Sequence, residues 1–153
     1  MNGILWAMLV SMMPIAELQG GIPIALAAGY PPWLALLACV AANILVVPIL
    51  FFFLEVIHKR LLHVNSYQSL FDKFMERTRK KTQPLVEKYG VTGLIILVAL
   101  PGPGTGAYTA TLAAWFFNVD KKYAFFAISL GMLAAGIIIL SASLGVMKFF
   151  SII

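Results

Sequence analysis

Glu17 is the only acidic or basic residue inside the four apolar segments of this 153-residue chain. A charge at the centre of a bilayer costs at least about 2.5–3.5 kcal/mol, so such a residue faces a cavity, finds a partner or stays protonated. Glu17 is therefore the first candidate for chemistry, as a proton or cation site. The alternative is a structural carboxylate that accepts hydrogen bonds from the rest of the fold.

Two clusters of glycine and proline mark where this chemistry would occur. They are "PIAELQGGIP", residues 14–23, and "PGPGTGAYT", residues 101–109. Such clusters interrupt helices, and the helix that resumes offers free N–H groups and partial positive charge at its N-terminus. We predict that a substrate and proton site lies between the two clusters. Its residues are Glu17, Gln19, Gly20, Gly21, Pro23, Asn43, Pro101, Gly102, Pro103, Gly104, Thr105, Gly106, Tyr108 and Thr109.

Two local details follow from this interpretation. Pro23 is predicted to lie in the first turn of the returning helix, where its missing N–H costs nothing. Thr105 is predicted to cap a second helix that begins near Gly106 or Ala107.

The sequence does not favour an enzyme. No His, Asp or Lys accompanies Glu17 in the apolar segments, so no acid–base pair can be assembled. The glycine-rich stretch lacks the Lys-Ser/Thr of a phosphate-binding loop. His58 and His63 are too few for a metal site, and we interpret them as interfacial residues. We expect no catalysis, cofactor, metal or nucleic-acid partner.

Composition indicates an all-α integral membrane protein with a single domain, residues 1–153. Hydrophobic residues make up 61% of the chain, charged residues only 11%, and the mean hydropathy is +0.95. Soluble domains carry about 25% charged residues. The four apolar segments are residues 4–28, 33–54, 91–117 and 123–147.

Segments one and three are interrupted, and segments two and four are long enough to cross a bilayer. Ten residues precede Pro14 in segment one, and ten precede Pro101 in segment three. Ten helical residues reach about 15 Å, half of a hydrocarbon core about 30 Å thick. Each interrupted segment is therefore a broken helix or a re-entrant hairpin.

The charges favour re-entrant hairpins. Residues 55–89 carry eight Lys and Arg residues and are predicted to be cytoplasmic. Lys121 and Lys122 join them on that side only if segment three turns back. The chain is then an inverted repeat of two hairpins, each followed by a transmembrane helix, in a plasma-membrane protein. Repeat 1 covers about 1–54, a linker 55–84, and repeat 2 about 85–153. Four full spans are the alternative.

The linker contains a predicted amphipathic helix. Tyr67, Leu70, Phe71, Phe74 and Met75 share one helical face, and mainly charged residues lie on the other. Such a helix suits an anionic leaflet. We predict a break at Pro84.

Two stretches resemble signature segments of the small multidrug export family, within the wider DedA/VTT membrane-protein superfamily. They are "ELQGGIPIALAAG", residues 17–29, and "LPGPGTGAYTATLAA", residues 100–114. The resemblance spans most of the chain and implies two re-entrant hairpins that face each other. It also implies transport, since the superfamily includes lipid flippases and scramblases. Gln19 stands where relatives often carry Arg.

We therefore expect a small transporter that moves an amphipathic lipid or lipid-like molecule, with membrane lipids as partners. An exporter of small organic cations and a non-transporting assembly protein are the alternatives. A homo-oligomer is expected, because two full spans are few for a sealed pathway. Small residues at Ala38, Ala42, Gly131 and Ala135 offer close-packing faces.

Overall fold

The computed structural model describes residues 3–61, 63, 65–102 and 105–152, and helix dominates this part of the chain. A π-helical turn occupies Phe53–Ile57. The α-helices of the described residues are α1 Gly3–Ser11, α2 Glu17–Ala27, α3 Pro32–Phe52, α4 His58–Leu61, α5 Asn65–Tyr89, α6 Val91–Ala99, α7 Ala107–Phe116 and α8 Lys121–Ile152.

Within the described ranges, two helices are long and apolar enough to cross a membrane. They are the 26-residue stretch Pro32–Ile57 and the 29-residue stretch Lys121–Phe149, which contain the predicted segments two and four. Pro32 suits the first turn of α3, because the N–H that proline lacks would be unpaired there. The other two segments are interrupted, as predicted, since α1 ends at Ser11 and α6 ends at Ala99.

Helices α1 and α2 form an antiparallel pair that packs through glycine. A Cβ on Gly3 would lie 2.8 Å from the Cβ of Ala28, and one on Gly21 would lie 2.6 Å from Ser11 Cβ. The start of α1 therefore lies beside the end of α2, and the end of α1 beside the middle of α2. Close packing without intervening side chains holds the pair together.

Helices α6 and α7 also turn back, beside α5. Gly93, near the start of α6, packs so closely on the backbone of Leu85 that a Cβ would lie 2.7 Å from its carbonyl carbon. At the end of α7, the Arg79 guanidinium lies 5.5 Å from the centroid of the Phe116 ring. Both ends of this pair therefore lie along the second half of α5, and its tip is the break between Ala99 and Ala107.

Helix α8 packs against both pairs and α3. Gly131 meets α6, where a Cβ would lie 2.7 Å from Val98 Cβ, and Ala42 and Ala135 are buried in the core. Three of the four small residues predicted for an oligomer interface therefore pack within the chain. The prediction was wrong for these faces, because the chain's own helices need the same close approach.

Helix α5 runs through Pro84, so the predicted break at this residue was wrong. The helix ends instead at Tyr89, and the next residue, Gly90, has a φ of +56° and a ψ of −130°, a conformation open mainly to glycine. The predicted apolar face divides in two. Phe71 and Met75 pack inward, whereas Leu70 is 71% exposed.

His58 joins the end of the first long helix to α5 and α7. The sequence predicted an interfacial position for this residue, but the structure buries it. Its Nδ1 lies 3.0 Å from the Tyr67 hydroxyl, and its ring lies 4.0 Å from the Phe71 ring between centroids. The edge of Trp115 completes the cluster. Burial lowers the pKa of the His58 imidazole, and the nearby Asp72 carboxylate opposes part of this effect.

Candidate functional site

The tips of the two helical pairs meet at Glu17. Its side chain extends from the first residue of α2 to the N-terminus of α7 and accepts hydrogen bonds from the backbone N–H groups of Ala107 and Tyr108. The N-cap residue of α7 is Gly106, which has no side chain to supply an acceptor. A carboxylate from the opposite pair therefore caps this helix, at the end where the helix dipole favours negative charge.

Gly106 makes this contact possible. A Cβ at this position would overlap the Glu17 carboxylate, at 2.6 Å from Cδ and closer still to Oε2. The φ of Gly106 is +146°, a conformation that other residues rarely adopt. Both the space and the backbone therefore require glycine here.

The backbone of Glu17 is itself in a disfavoured conformation. Its φ is +41°, in the left-handed region, which costs a non-glycine residue roughly 1–2 kcal/mol. The Glu17 N–H donates to the Met13 carbonyl at 3.0 Å. The fold therefore holds Glu17 at a sharp turn, and strained residues of this kind cluster at functional sites.

Tyr108 makes the second contact between the tips. Its hydroxyl donates a hydrogen bond to the backbone carbonyl of Met12, which follows the end of α1. This carbonyl lies just past the last turn of α1, where no further N–H of that helix can reach it. Each tip thus supplies a side chain that satisfies a free helix end in the other.

A small cavity lies beside the Glu17 carboxylate, with a volume of about 10 Å³. Asn43 reaches it from the middle of α3 and is fully buried. The cavity is lined by Glu17, Leu18, Gln19, Asn43, Val98, Pro101, Thr105, Gly106, Met132, Ala135 and Ile139. Its polar groups therefore come from α2, α3 and the break between α6 and α7.

Thr105 does not cap α7, so that prediction was wrong. Its hydroxyl lies 2.8 Å from the Leu100 carbonyl and 2.9 Å from the Gly102 carbonyl. It therefore closes the break by satisfying carbonyl groups after the end of α6. The capping role falls to Glu17.

Pro23 is not in the first turn of its helix, because α2 begins six residues earlier at Glu17. Inside α2, it removes the N–H that would otherwise bond to the Gln19 carbonyl. The helix begins at the left-handed turn of Glu17, and therefore earlier than the position predicted from Pro23.

The structure brings six of the predicted site residues to the cavity, namely Glu17, Gln19, Asn43, Pro101, Thr105 and Gly106. Of the other predicted residues that the structure describes, Gly20 and Gly21 pack in the first helical pair, and Gly102 accepts a bond from Thr105. Thr109 is buried in α7. Pro103 and Gly104 lie outside the described residues.

A profile of the family described as "Putative small multi-drug export protein" matches residues 17–138. The chain belongs to this family. The match begins at Glu17 and contains Asn43 and the whole break from Leu100 to Gly106, so the site lies within the part that defines the family. Neither a curated protein nor a solved structure matches the chain. Family membership and the two long apolar helices indicate a membrane protein with a transport role.

An apolar groove of about 320 Å³ reaches the tips of this export-family protein from the outside. It is lined by Met12, Val46, Ile49, Leu50, Phe53 and Tyr108. Sequence analysis identified only Tyr108 among them. The other five are ordinary apolar residues of apolar segments, so no signal in the sequence separates them from core or lipid-facing positions.

The cavity beside the Glu17 carboxylate has room for a small polar group. The part of the chain that the structure describes contains no group of three or more His, Cys, Asp or Glu side chains able to hold a metal ion. The Glu17 carboxylate is held by the fixed N–H donors of Ala107 and Tyr108.

Proposed function

We propose that this member of the small multidrug export family moves an amphipathic, lipid-like molecule between the two leaflets, with Glu17 as its proton site. The observation that supports the proposal is the meeting of the two helical-pair tips around the Glu17 carboxylate. This contact can change with protonation. A carboxylate accepts both N–H groups of α7, whereas a protonated carboxyl keeps less acceptor capacity.

In this proposal the two helical pairs are re-entrant hairpins. Helices α1 and α6 have nine residues each, so each extends about 14 Å, half of a bilayer core. The pair α1–α2 enters from the outer side and α6–α7 from the cytoplasmic side, which places both tips near the midplane. With α3 and α8 as spans, the two halves form an inverted repeat.

Single-cysteine labelling tests this topology. Cysteines at Lys80 and Lys122, in a Cys39→Ala background, are expected to react with a membrane-impermeant maleimide from the cytoplasmic side. A cysteine at Tyr30 is expected to react from the outer side only. Because Lys122 and Tyr30 follow the two hairpins in corresponding positions, their reaction from one common side would exclude the inverted repeat.

The groove beside the tips is the proposed path for the substrate's apolar part. Its lining is apolar except for the Tyr108 hydroxyl, and its volume of about 320 Å³ suits a chain or ring. The inner cavity, at about 10 Å³, is too small for a headgroup or a drug. A substrate would therefore enter sideways from the bilayer, and its polar end would reach Tyr108 and then Glu17 when the tips separate.

A tryptophan in the groove tests the path. Ile49 lines the groove and Leu45 does not, although both are 57% exposed on the same helix. In proteoliposomes, Ile49→Trp is expected to reduce translocation of a fluorescent phospholipid to the rate of protein-free vesicles. Leu45→Trp is expected to leave the rate unchanged. Equal rates for the two variants would contradict the proposed path.

Export of small organic cations is a second candidate, and it is favoured by the description of the family and by the single carboxylate at the tips. The same vesicles distinguish the two functions. Uptake of an organic cation driven by a pH gradient, with no phospholipid translocation, would favour the cation exporter. Failure of both assays would favour an assembly role.

A further inference from the structure

Asn43 is an unusual residue for the middle of a membrane helix. It is fully buried in α3, and neither Oδ1 nor Nδ2 has a hydrogen-bond partner among the residues that the structure describes. Buried side-chain amides are almost always paired with protein or ordered water, because an unpaired one loses its hydration without compensation. The position therefore calls for a polar ligand.

The cavity beside Asn43 restricts what that ligand can be. Its volume of about 10 Å³ is close to that of a single water-sized sphere. The Glu17 carboxylate lines the same cavity, and much of the remaining wall is apolar. A guest there meets the Asn43 amide and the Glu17 carboxylate, with the polar residues Gln19 and Thr105 also in the lining.

The amide favours water over a cation. Water can accept from Nδ2 or donate to Oδ1, so it pairs with whichever atom faces the cavity, whereas a cation can use Oδ1 alone. The charge of Glu17 is also partly offset, because the carboxylate already accepts two N–H groups at the positive end of α7. Both features weaken the site for Na⁺.

We propose that Asn43 and Glu17 bind one water molecule between them, and that this water positions the Glu17 carboxyl for proton exchange. The binding of the water does not depend on transport, whereas its role in proton exchange rests on the proposed function. When Glu17 is ionised, the water donates to a carboxylate oxygen. When Glu17 is protonated, the carboxyl O–H donates to the water. Asn43 is thus a positioning residue that holds the water in either state.

A double-mutant cycle tests the bound water through stability. Asn43→Leu keeps the approximate shape and removes both polar atoms. We expect this variant to lower the apparent Tm in a fixed detergent, because the water and its bond to Glu17 are lost together. We also expect the Tm change caused by Glu17→Gln to differ between the wild-type and N43L backgrounds, since residues in one network do not behave additively.

Ser129 provides the matched control. Its Oγ is also buried and without a partner among the described residues, but Ser129 does not line the cavity. Ser129→Ala and Glu17→Gln are expected to shift the Tm additively. The proposal is overturned if Asn43→Leu raises the Tm and is additive with Glu17→Gln, because that is the behaviour of an unpaired amide with no ligand.

Ion substitution separates water from a cation. The Tm in NaCl is expected to equal that in choline chloride at the same ionic strength. A Tm that rises with Na⁺ in the wild type but not in N43L would assign the site to a cation and contradict the proposal of a bound water. These measurements do not depend on transport. If the Tm changes of Asn43→Leu and Glu17→Gln are non-additive but the protein transports nothing, the proposed function is refuted and the proposal of a bound water stands.

For the second part, the readout is the pH profile of transport. Asn43→Leu is expected to shift the pH at which transport is half-maximal. A lower rate with an unshifted profile would mean that Asn43 does not position the proton site.

Discussion

Gly106→Ala is expected to separate the tips of the two helical pairs and to abolish transport. The new Cβ would occupy the space of the Glu17 carboxylate, at 2.6 Å from Cδ, so the side chain must leave. Two N–H groups of α7 then lose their acceptor, at roughly 1–3 kcal/mol each when buried. The φ of +146° adds strain of about 1–3 kcal/mol for alanine.

Gly102→Ala is the matched control in the same break. Among the described residues, a Cβ on Gly102 would meet only Thr105 Oγ1, at 3.4 Å, which is an ordinary van der Waals distance. We expect a Tm and a transport rate close to wild type for this variant, and a large loss of both for Gly106→Ala. The measurement is thermal unfolding in one detergent together with phospholipid translocation in vesicles. Equal Tm values for the two variants would show that the Glu17–Gly106 contact does not hold the tips.

The helix ends at the two breaks could be predicted from sequence because proline and glycine act locally. Pro14 and Pro101 cannot continue a helix, and each follows ten apolar residues, so α1 and α6 end within two or three residues of the predicted points. From the sequence, the Glu17 carboxylate could have either a structural role, by accepting hydrogen bonds from the second cluster, or a functional role. The bonds to Ala107 and Tyr108 show that the opposite tip satisfies the carboxylate, and they leave its proton chemistry to experiment.

The incorrect predictions share one physical cause, which is competition from distant parts of the chain. Thr105 has the residue type of a cap, but Glu17 takes the helix N-terminus and leaves the hydroxyl for carbonyl groups of the break. Pro84 is exposed, and α5 continues through it to Tyr89, where Gly90 follows with a positive φ. Gly131 was predicted to pack against a second copy of the chain, but α6 occupies the space beside it. Composition and spacing do not contain such contacts.

Glu17→Gln is expected to give a folded protein whose transport is lost or independent of pH. Glutamine keeps the size of the side chain, and its carbonyl oxygen can still accept one of the α7 N–H bonds, but it does not titrate. Glu17→Ala removes both bonds and is expected to lower stability as well, by about 1–3 kcal/mol for each N–H left unpaired. Glu17→Gly makes the same deletion but suits the φ of +41°, so it should be more stable than Glu17→Ala by roughly 1 kcal/mol.

The comparison of these variants separates the two roles of the carboxylate. The chain interrupts two helices at the tips of the helical pairs, and the break before Ala107 exposes N–H groups that an unbroken helix would use internally. Glu17 satisfies those groups, so its structural role should appear in thermal stability. A functional role should appear in the pH dependence of transport at equal amounts of folded protein in the same lipid. If Glu17→Gln keeps full, pH-responsive transport, the carboxylate only joins the hairpins and the proton site lies elsewhere.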